Sequence, residues 1–249
     1  MISHKLIDKL RASERILVLT GAGISAESGL ATFRDPGGHW DQYRPEDLAN
    51  EVAFRRNPSL VQGWYAARRK ATLAAIPNPG HLALVALSSV VPELTLVTQN
   101  VDCLHQRAGS EKVIELHGNI HQFYCIECGS EAPESAFSLM DAGKVANCAG
   151  CGGLMRPSVV WFGEALPKQA LDEAWARAEV ADVLLSIGTS GLVYPAAHLP
   201  MVAKRAGAFL VEINLTPSAL TKEMDLVLSG RAGEVLPALL AALQTPKNG

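Results

Sequence analysis

Short apolar runs ending in glycine or a polar residue recur along the chain. Between them lie segments whose apolar positions repeat every three or four residues. Leu6, Ile7 and Leu10 are spaced for a helix within residues 3–14. Ile16 to Thr20 then forms an unbroken run that stops at Gly21, the pattern of a buried strand. Similar runs predict strands at Leu94–Thr98, Val113–Leu116, Val159–Phe162, Val183–Ile187, Phe209–Ile213 and Leu226–Leu228. Helical patterns occupy 168–179, 195–206 and 233–243, and a helix is expected to begin inside residues 21–29. Strands alternating with helices predict an α/β fold, a parallel sheet with helices on both faces.

Two stretches break this alternation. Residues 33–80 hold the turn sequence Asp35-Pro36-Gly37-Gly38, helical patterns after Pro45 and Pro58, and a break at Asn78-Pro79-Gly80. They are expected to be a loop followed by a helical insertion. Residues 123–156 carry cysteines and glycines with few periodic apolar positions, as in a metal-organised insertion.

Composition narrows the classes. The 249 residues are 48% hydrophobic and 19% charged, enough for a sizeable core and inconsistent with disorder. A formal charge of −3 gives no electrostatic footprint for nucleic acid. No apolar run approaches the ~18 residues of a membrane span, and the polar N-terminus lacks the core of a signal peptide. The expectation is a cytoplasmic protein with reduced cysteines, monomeric, without nucleic-acid or membrane partners.

Four of the five cysteines form Cys125-x-x-Cys128 and Cys148-x-x-Cys151, 19 residues apart. Two such knuckles can close a tetrahedral thiolate site for zinc. Four protein ligands leave no open position, so the metal is expected to be structural. A nucleic-acid zinc ribbon is the rival, but Lys144 and Arg156 are the only basic residues there, against Glu127, Glu131, Glu134 and Asp141. Cys103, the fifth, is expected to be a small buried apolar residue.

Gly21-Ala22-Gly23-Ile24-Ser25-Ala26 follows the first strand and matches the small-residue turn that cradles a pyrophosphate. By itself the motif does not separate a phosphate cradle from a tight turn. No second strand ends in an acidic residue about 20 residues on, so a hydride-transfer enzyme fits poorly. The ribose must then be held from other strand ends, such as Gly188-Thr189-Ser190 and Asn214. His117 follows a strand and suits a general base near neutrality; His105 and His121 are competitors that composition does not separate from it.

Taken in order, GAGISAESG (21–29), TFR (32–34), TQNVDCLH (98–105), ELHG (115–118), the two cysteine pairs, VVWFGE (159–164), GTS (188–190) and VEIN (211–214) resemble the sirtuins, NAD-dependent protein lysine deacylases. The resemblance covers about residues 15 to 236. It implies a Rossmann-like lobe (1–32, 81–120, 157–249) and a small lobe made of a helical insertion (33–80) and a zinc module (121–156). It also implies that NAD and an acyl-lysine peptide meet in the cleft between them. His117 matches the general base, and Asn100 and Asp102 match residues around the nicotinamide and its ribose. Ala22, Phe33 and Arg34 match the phosphate cradle and cofactor loop, and Gly188, Thr189, Ser190 and Asn214 the adenosine half. Further cofactor contacts are implied at Gly21, Gly23, Ser25, Glu27, Thr32, Trp40, Gln99, Val101, Leu215 and Ala232. Peptide contacts are implied at Val160, Phe162 and Gly163, with the peptide adding as a strand near 159–163 and 191–194. Cys103 departs from a common glycine, Ala31 from a proline and Ser158 from a histidine.

In the implied reaction the acyl oxygen attacks C1′ of the nicotinamide ribose and nicotinamide leaves. His117 then deprotonates a ribose hydroxyl, giving lysine and O-acyl-ADP-ribose. Protein ADP-ribosylation through the same NAD cleavage is the alternative, and a non-catalytic NAD sensor a further one. Tyr65 and Arg68 lie at i and i+3, on one helix face, where both can donate to a carboxylate. Within the family this Tyr-x-x-Arg resembles the class that removes succinyl and malonyl groups, and Thr32 in place of aspartate points the same way. Without the family, Arg68-Arg69-Lys70 reads as an ordinary solvated helix face.

Overall fold

In the computed structural model, which describes residues 2–32 and 44–245, the chain begins with α1 (His4–Ala12) and β1 (Arg15–Thr20). The helical insertion follows as α2 (Pro45–Leu48), α3 (Glu51–Arg56) and α4 (Pro58–Ala74). Next come α5 (Pro79–Ser88), β2 (Glu93–Thr98), α6 (Leu104–Ala108), β3 (Val113–Glu115) and β4 (Gly118–Cys125). The zinc module holds α7 (Glu134–Asp141) and returns through β5 (Met155–Val159). Then follow α8 (Lys168–Ala178), β6 (Val183–Ile187), α9 (Leu199–Arg205), β7 (Phe209–Asn214), β8 (Leu226–Ser229) and α10 (Ala232–Gln244).

Six strands form one parallel sheet in the order β3-β2-β1-β6-β7-β8. β1, β6 and β7 are buried along almost their whole length, because helices cover both faces and leave no polar side. Leu6, Leu10, Leu84, Leu87, Leu236 and Leu239 from α1, α5 and α10 fill one face. Ala174, Ala178, Leu199 and Ala203 from α8 and α9 fill the other. Strand order reverses between β1 and β6, and ligand crevices in open α/β sheets form at such a point. Among the described residues no helix is long and apolar enough to cross a membrane.

Three expectations are corrected. The helix expected in 21–29 is two single 3-10 turns, Ala22–Ile24 and Ala26–Ser28, ending on Gly29 at φ +83°. The strand expected at Val159–Phe162 lies earlier, at Met155–Val159, and pairs antiparallel with β4 in a separate two-stranded sheet. Beyond Val159 the backbone leaves that ladder, since Val160 N–H donates to His117 O and Phe162 N–H to Ala49 O. Cys103 is not a buried apolar residue. It is partly exposed, lies 3.9 Å from a Glu115 carboxylate oxygen, and holds the left-handed turn before α6 at φ +61°, a conformation glycine adopts without strain.

A third core joins the insertion to the zinc module: Phe54, Val61 and Tyr65 pack with Phe123, Met140, Met155 and Trp161. At its centre the buried Gln62 side chain donates to the carbonyls of Ala146 and Met155 and accepts from Ala146 N–H. The helix bearing Tyr65 and Arg68 is thereby stitched to the module bearing the cysteines.

His81 and His105 are fully buried beneath the crevice with rings 4.9 Å apart. Burial pushes His81 down to about 4, against the pull of Asp102 and Glu27, and burial together with repulsion from His81 pushes His105 down to about 3. Below the ordinary histidine value the unfolded chain therefore binds protons that the folded chain refuses. Stability from this pair is complete above about pH 6.5 and falls as the pH drops toward the folded values. The urea midpoint is expected to be lower at pH 5 than at pH 7.5; equal midpoints would show that the pair does not govern acid stability.

Candidate active site

A cavity of about 660 Å³ opens above the carboxyl ends of β1, β2 and β6. Its floor explains the glycines. Gly23 N–H donates to Gly188 O at 2.8 Å, and a Cβ on Gly21 would stand 2.7 Å from the same oxygen. A Cβ on Gly23 would meet Gly188 Cα at 2.6 Å, and Gly188 itself has φ +60°. These glycines let the turn after β1 press against the turn after β6. An anion here would meet the N–H groups of short turns, without the aligned dipole of a long helix.

The segment after β2 builds one wall. Asn100 Nδ2 donates to Gly21 O and to Ser25 Oγ, and Ser25 Oγ donates to Asp102 Oδ2 at 2.7 Å. Asp102 also accepts from Leu104 N–H, and Asn100 N–H is held by Thr98 Oγ1. Ser25, Asn100 and Asp102 are all buried, so this chain fixes each group before any ligand arrives. Gln99 Nε2 donates to Thr189 Oγ1, and Asn214 Nδ2 to Thr189 O, tying β2, β6 and β7 at their ends.

His117 follows β3, partly buried on the cavity wall. Its Nδ1 lies 3.0 Å from Gln99 O. A carbonyl only accepts, so Nδ1 carries the proton and Nε2 of the neutral ring keeps its lone pair. Burial lowers the His117 pKa, opposed by the bond to Gln99, and favours this neutral form. Gly118 at φ +80° lets β4 begin at once; a Cβ there would lie 2.1 Å from Ser158 O. The acceptor bond of His117 O from Val160 N–H then joins the histidine to the wall formed by Val160, Phe162 and Gly163.

Tyr65 and Arg68 reach the same cavity from α4. Trp161 Nε1 donates to the buried Tyr65 phenol at 2.9 Å, and the Arg68 guanidinium carbon lies 5.6 Å from the Tyr65 ring centroid and 4.6 Å from that of Trp64. Burial raises the Tyr65 pKa, so the phenol keeps its proton. Burial lowers that of Arg68, but a guanidinium stays charged near neutral pH.

The cavity thus brings together Gly21, Ala22, Gly23, Ser25, Thr32, Gln99, Asn100, Val101, Asp102, His117, Gly188, Thr189, Ser190 and Asn214 with Tyr65, Arg68, Val160, Phe162 and Gly163. Glu27, Leu215 and Ala232 do not line it. Glu27 instead accepts from Gly233 N–H at the start of α10, and Leu215 is exposed. Phe33, Arg34 and Trp40 lie outside the described residues. Trp161, Leu192 and Tyr194 also line it, within the stretches 159–163 and 191–194 expected to meet the peptide, whereas lining by Trp64, Ala71, Thr72 and residues 216–219 was missed. The signal for these was weak: Trp64 and Thr72 lie near Arg68 on one helix.

At the far end of β4 and β5, the sulfurs of Cys125, Cys128, Cys148 and Cys151 lie within 4.8 Å of one another, with Cys125–Cys151 at 3.4 Å and Cys128–Cys148 at 3.8 Å. Tetrahedral zinc–thiolate bonds of about 2.3 Å place sulfurs roughly 3.8 Å apart, so the four fit a structural zinc. Each knuckle closes by the same bond, Gly129 N–H to Cys125 O and Gly152 N–H to Cys148 O, with both glycines left-handed.

The Sir2 family profile matches residues 21–195. This chain belongs to the Sir2 family. A Pyrobaculum aerophilum relative named NAD-dependent protein deacylase 2 is 51% identical over 94% of this chain and 92% of its own. A solved Sir2 homolog–NAD complex matches with a TM-score of 0.91 at 42% identity, over 98% of this chain and 94% of that one. A Sir2–p53 peptide–NAD+ complex matches at TM-score 0.89 and 34% identity, over 97% of this chain and 98% of that one. NAD is therefore the co-substrate of this sirtuin, in line with its NAD-dependent relatives and the solved NAD complexes.

Proposed function

We propose that this sirtuin is an NAD-dependent protein lysine deacylase that removes succinyl and malonyl groups as well as acetyl. The deacylase reading rests on family membership and on relatives so named. The finer reading rests on one observation: Tyr65 and Arg68 line the same cavity as His117. Within that cavity an acyl chain ending in a carboxylate would meet a phenol O–H and a guanidinium.

NAD, as co-substrate, supplies the activated C1′ of its nicotinamide ribose and accepts the acyl group. The chain's own groups position and deprotonate. The Ser25–Asn100–Asp102 chain holds polar atoms rigid beside the bound ribose. His117 Nε2 takes a proton from a ribose hydroxyl, and Nδ1–H stays anchored on Gln99 O. A neutral, already oriented base avoids reorganisation during the reaction. One water is consumed as the amine is released, so that lysine, O-acyl-ADP-ribose and nicotinamide are the products, and the four cysteines hold zinc away from the chemistry.

Arg68→Met is expected to lower kcat/KM for a succinyl-lysine peptide at least about tenfold, from the ~1.5–3 kcal/mol of a hydrogen bond to a charged group. Turnover of the matched acetyl peptide should change little. Mass spectrometry of both peptides with NAD measures this. A parallel loss of both activities would assign Arg68 a structural role. Absence of any acyl loss with wild type, accompanied by ADP-ribose mass on protein, would favour ADP-ribosylation.

A further inference from the structure

We propose that Trp161 is a specificity-determining residue, because its indole N–H occupies the acceptor side of the Tyr65 hydroxyl and leaves the phenol proton for a carboxylate on the acyl chain. This inference rests on the carboxyl-acyl reading of Tyr65 and Arg68.

An indole nitrogen can only donate. With Trp161 Nε1 at 2.9 Å, the Tyr65 oxygen must accept. A phenol has one proton, which is then directed elsewhere. Tyr65 is 2% exposed and lines the cavity, so a carboxylate bound beside Arg68 would be placed to receive it. A hydroxyl able to rotate would serve as acceptor as readily as donor. The indole removes that freedom and makes the phenol a committed donor beside the Arg68 cation. Acetyl ends in a methyl group and cannot use this donor; succinyl and malonyl can.

The indole is itself held. The Arg156 guanidinium carbon lies 3.5 Å from the Trp161 ring centroid. Arg156, nearly fully buried, pairs with both Glu164 oxygens at 2.5 and 3.0 Å and donates to Val159 O at 2.8 Å. Glu164 Oε2 also accepts from Trp161 N–H at 2.8 Å. One arginine–glutamate pair thus fixes the Trp161 backbone and stacks on its ring, with Phe54 tilted against it at 5.2 Å. The indole cannot swing away from Tyr65 without losing its stacking on Arg156 and its contact with Phe54. Trp161 is therefore a positioning residue, acting on the acyl chain through Tyr65.

The test compares wild type, Trp161→Phe, Tyr65→Phe and the double variant on matched acetyl- and succinyl-lysine peptides with NAD, with Arg68→Met as control. Trp161→Phe is expected to raise the succinyl KM about tenfold while kcat and the acetyl KM stay within about twofold, the scale of one hydrogen bond to a charged group. In the Tyr65→Phe background the added Trp161→Phe change should have no further effect on succinyl KM, since the phenol it acts through is gone. Because Trp161 is buried, a second protein carries 3-benzothienylalanine at position 161, which keeps the ring shape and replaces only the N–H by sulfur. It should reproduce the selective loss. An unchanged succinyl KM in that protein, equal losses of acetyl and succinyl activity, or additive losses in the double variant would each overturn the role of Trp161. Failure of wild type to process succinyl-lysine, or an Arg68→Met protein that keeps full succinyl activity, would instead overturn the carboxyl-acyl reading on which it rests.

Discussion

His117→Ala is expected to lower deacylation of acetyl and succinyl peptides alike by about 10²–10⁴-fold, the usual contribution of general-base help. Zinc content and the thermal midpoint should remain near those of wild type. The effect is large because neither His105 nor His121 can replace the lost base. His105 is fully buried, its Nε2 faces Thr20 Oγ1, burial keeps it uncharged, and it does not line the cavity. His121 Nε2 faces the Asp102 carbonyl at 3.3 Å on the other side of that loop. Among the described residues only His117 presents a ring on the cavity wall with its tautomer set by a backbone carbonyl. The pH profile carries the same argument. Burial lowers the His117 pKa, so the base form persists below the ordinary histidine value of about 6.5. The acid limb of kcat/KM should fall below that point and disappear from the residual rate of the variant. Near-normal turnover by His117→Ala would remove it from this role.

Loss of one zinc thiolate is the second large effect. Cys125→Ala is expected to give a protein that is insoluble, or that melts well below wild type, and that has lost activity although the cysteines are remote from His117. Structural zinc in small domains contributes about 10–16 kcal/mol of apparent binding free energy, which is folding free energy where no site exists in the unfolded chain. Cys125 is also fully buried in the core that holds Tyr65, Phe123 and Trp161. Gln62 carries the damage further, because its three bonds end on Ala146 and Met155, backbone that flanks the cysteine pairs. Disorder in that backbone would leave a buried amide unsatisfied within α4, one turn from Tyr65. Zinc analysis with thermal unfolding checks this; a soluble, active, zinc-free Cys125→Ala protein would contradict it.

Much of the architecture was legible in the chain because its strands are buried on both faces. Such strands read as mostly apolar runs, broken here only by Ser186 and Glu212, and Ile16–Thr20, Val183–Ile187 and Phe209–Ile213 were each found within a residue of their ends. The cysteine pairs were equally plain, since zinc chemistry dictates both residue type and spacing. The antiparallel pair β4–β5 was not. Its residues 118–125 include Asn119, His121 and Gln122, and 155–159 include Arg156 and Pro157, so no apolar run marks either strand. The boundary drawn at 120/121 falls inside β4 for that reason.

By itself the sequence determined the parallel sheet, the two insertions, the thiolate site and, through ordered motifs, the family, because each is encoded by residue type at short range. Only the tertiary structure decided which histidine faces the cavity, why Gly21, Gly23 and Gly188 are needed at one crossing, and how Trp161 and Gln62 connect the insertion to the strand beyond His117. Those outcomes depend on contacts between residues 18 to 167 positions apart, such as His117 with Gln99, Gln62 with Ala146, Tyr65 with Trp161 and Gly21 with Gly188. Local pattern carries no record of where distant backbone will lie; packing of the three cores decides it.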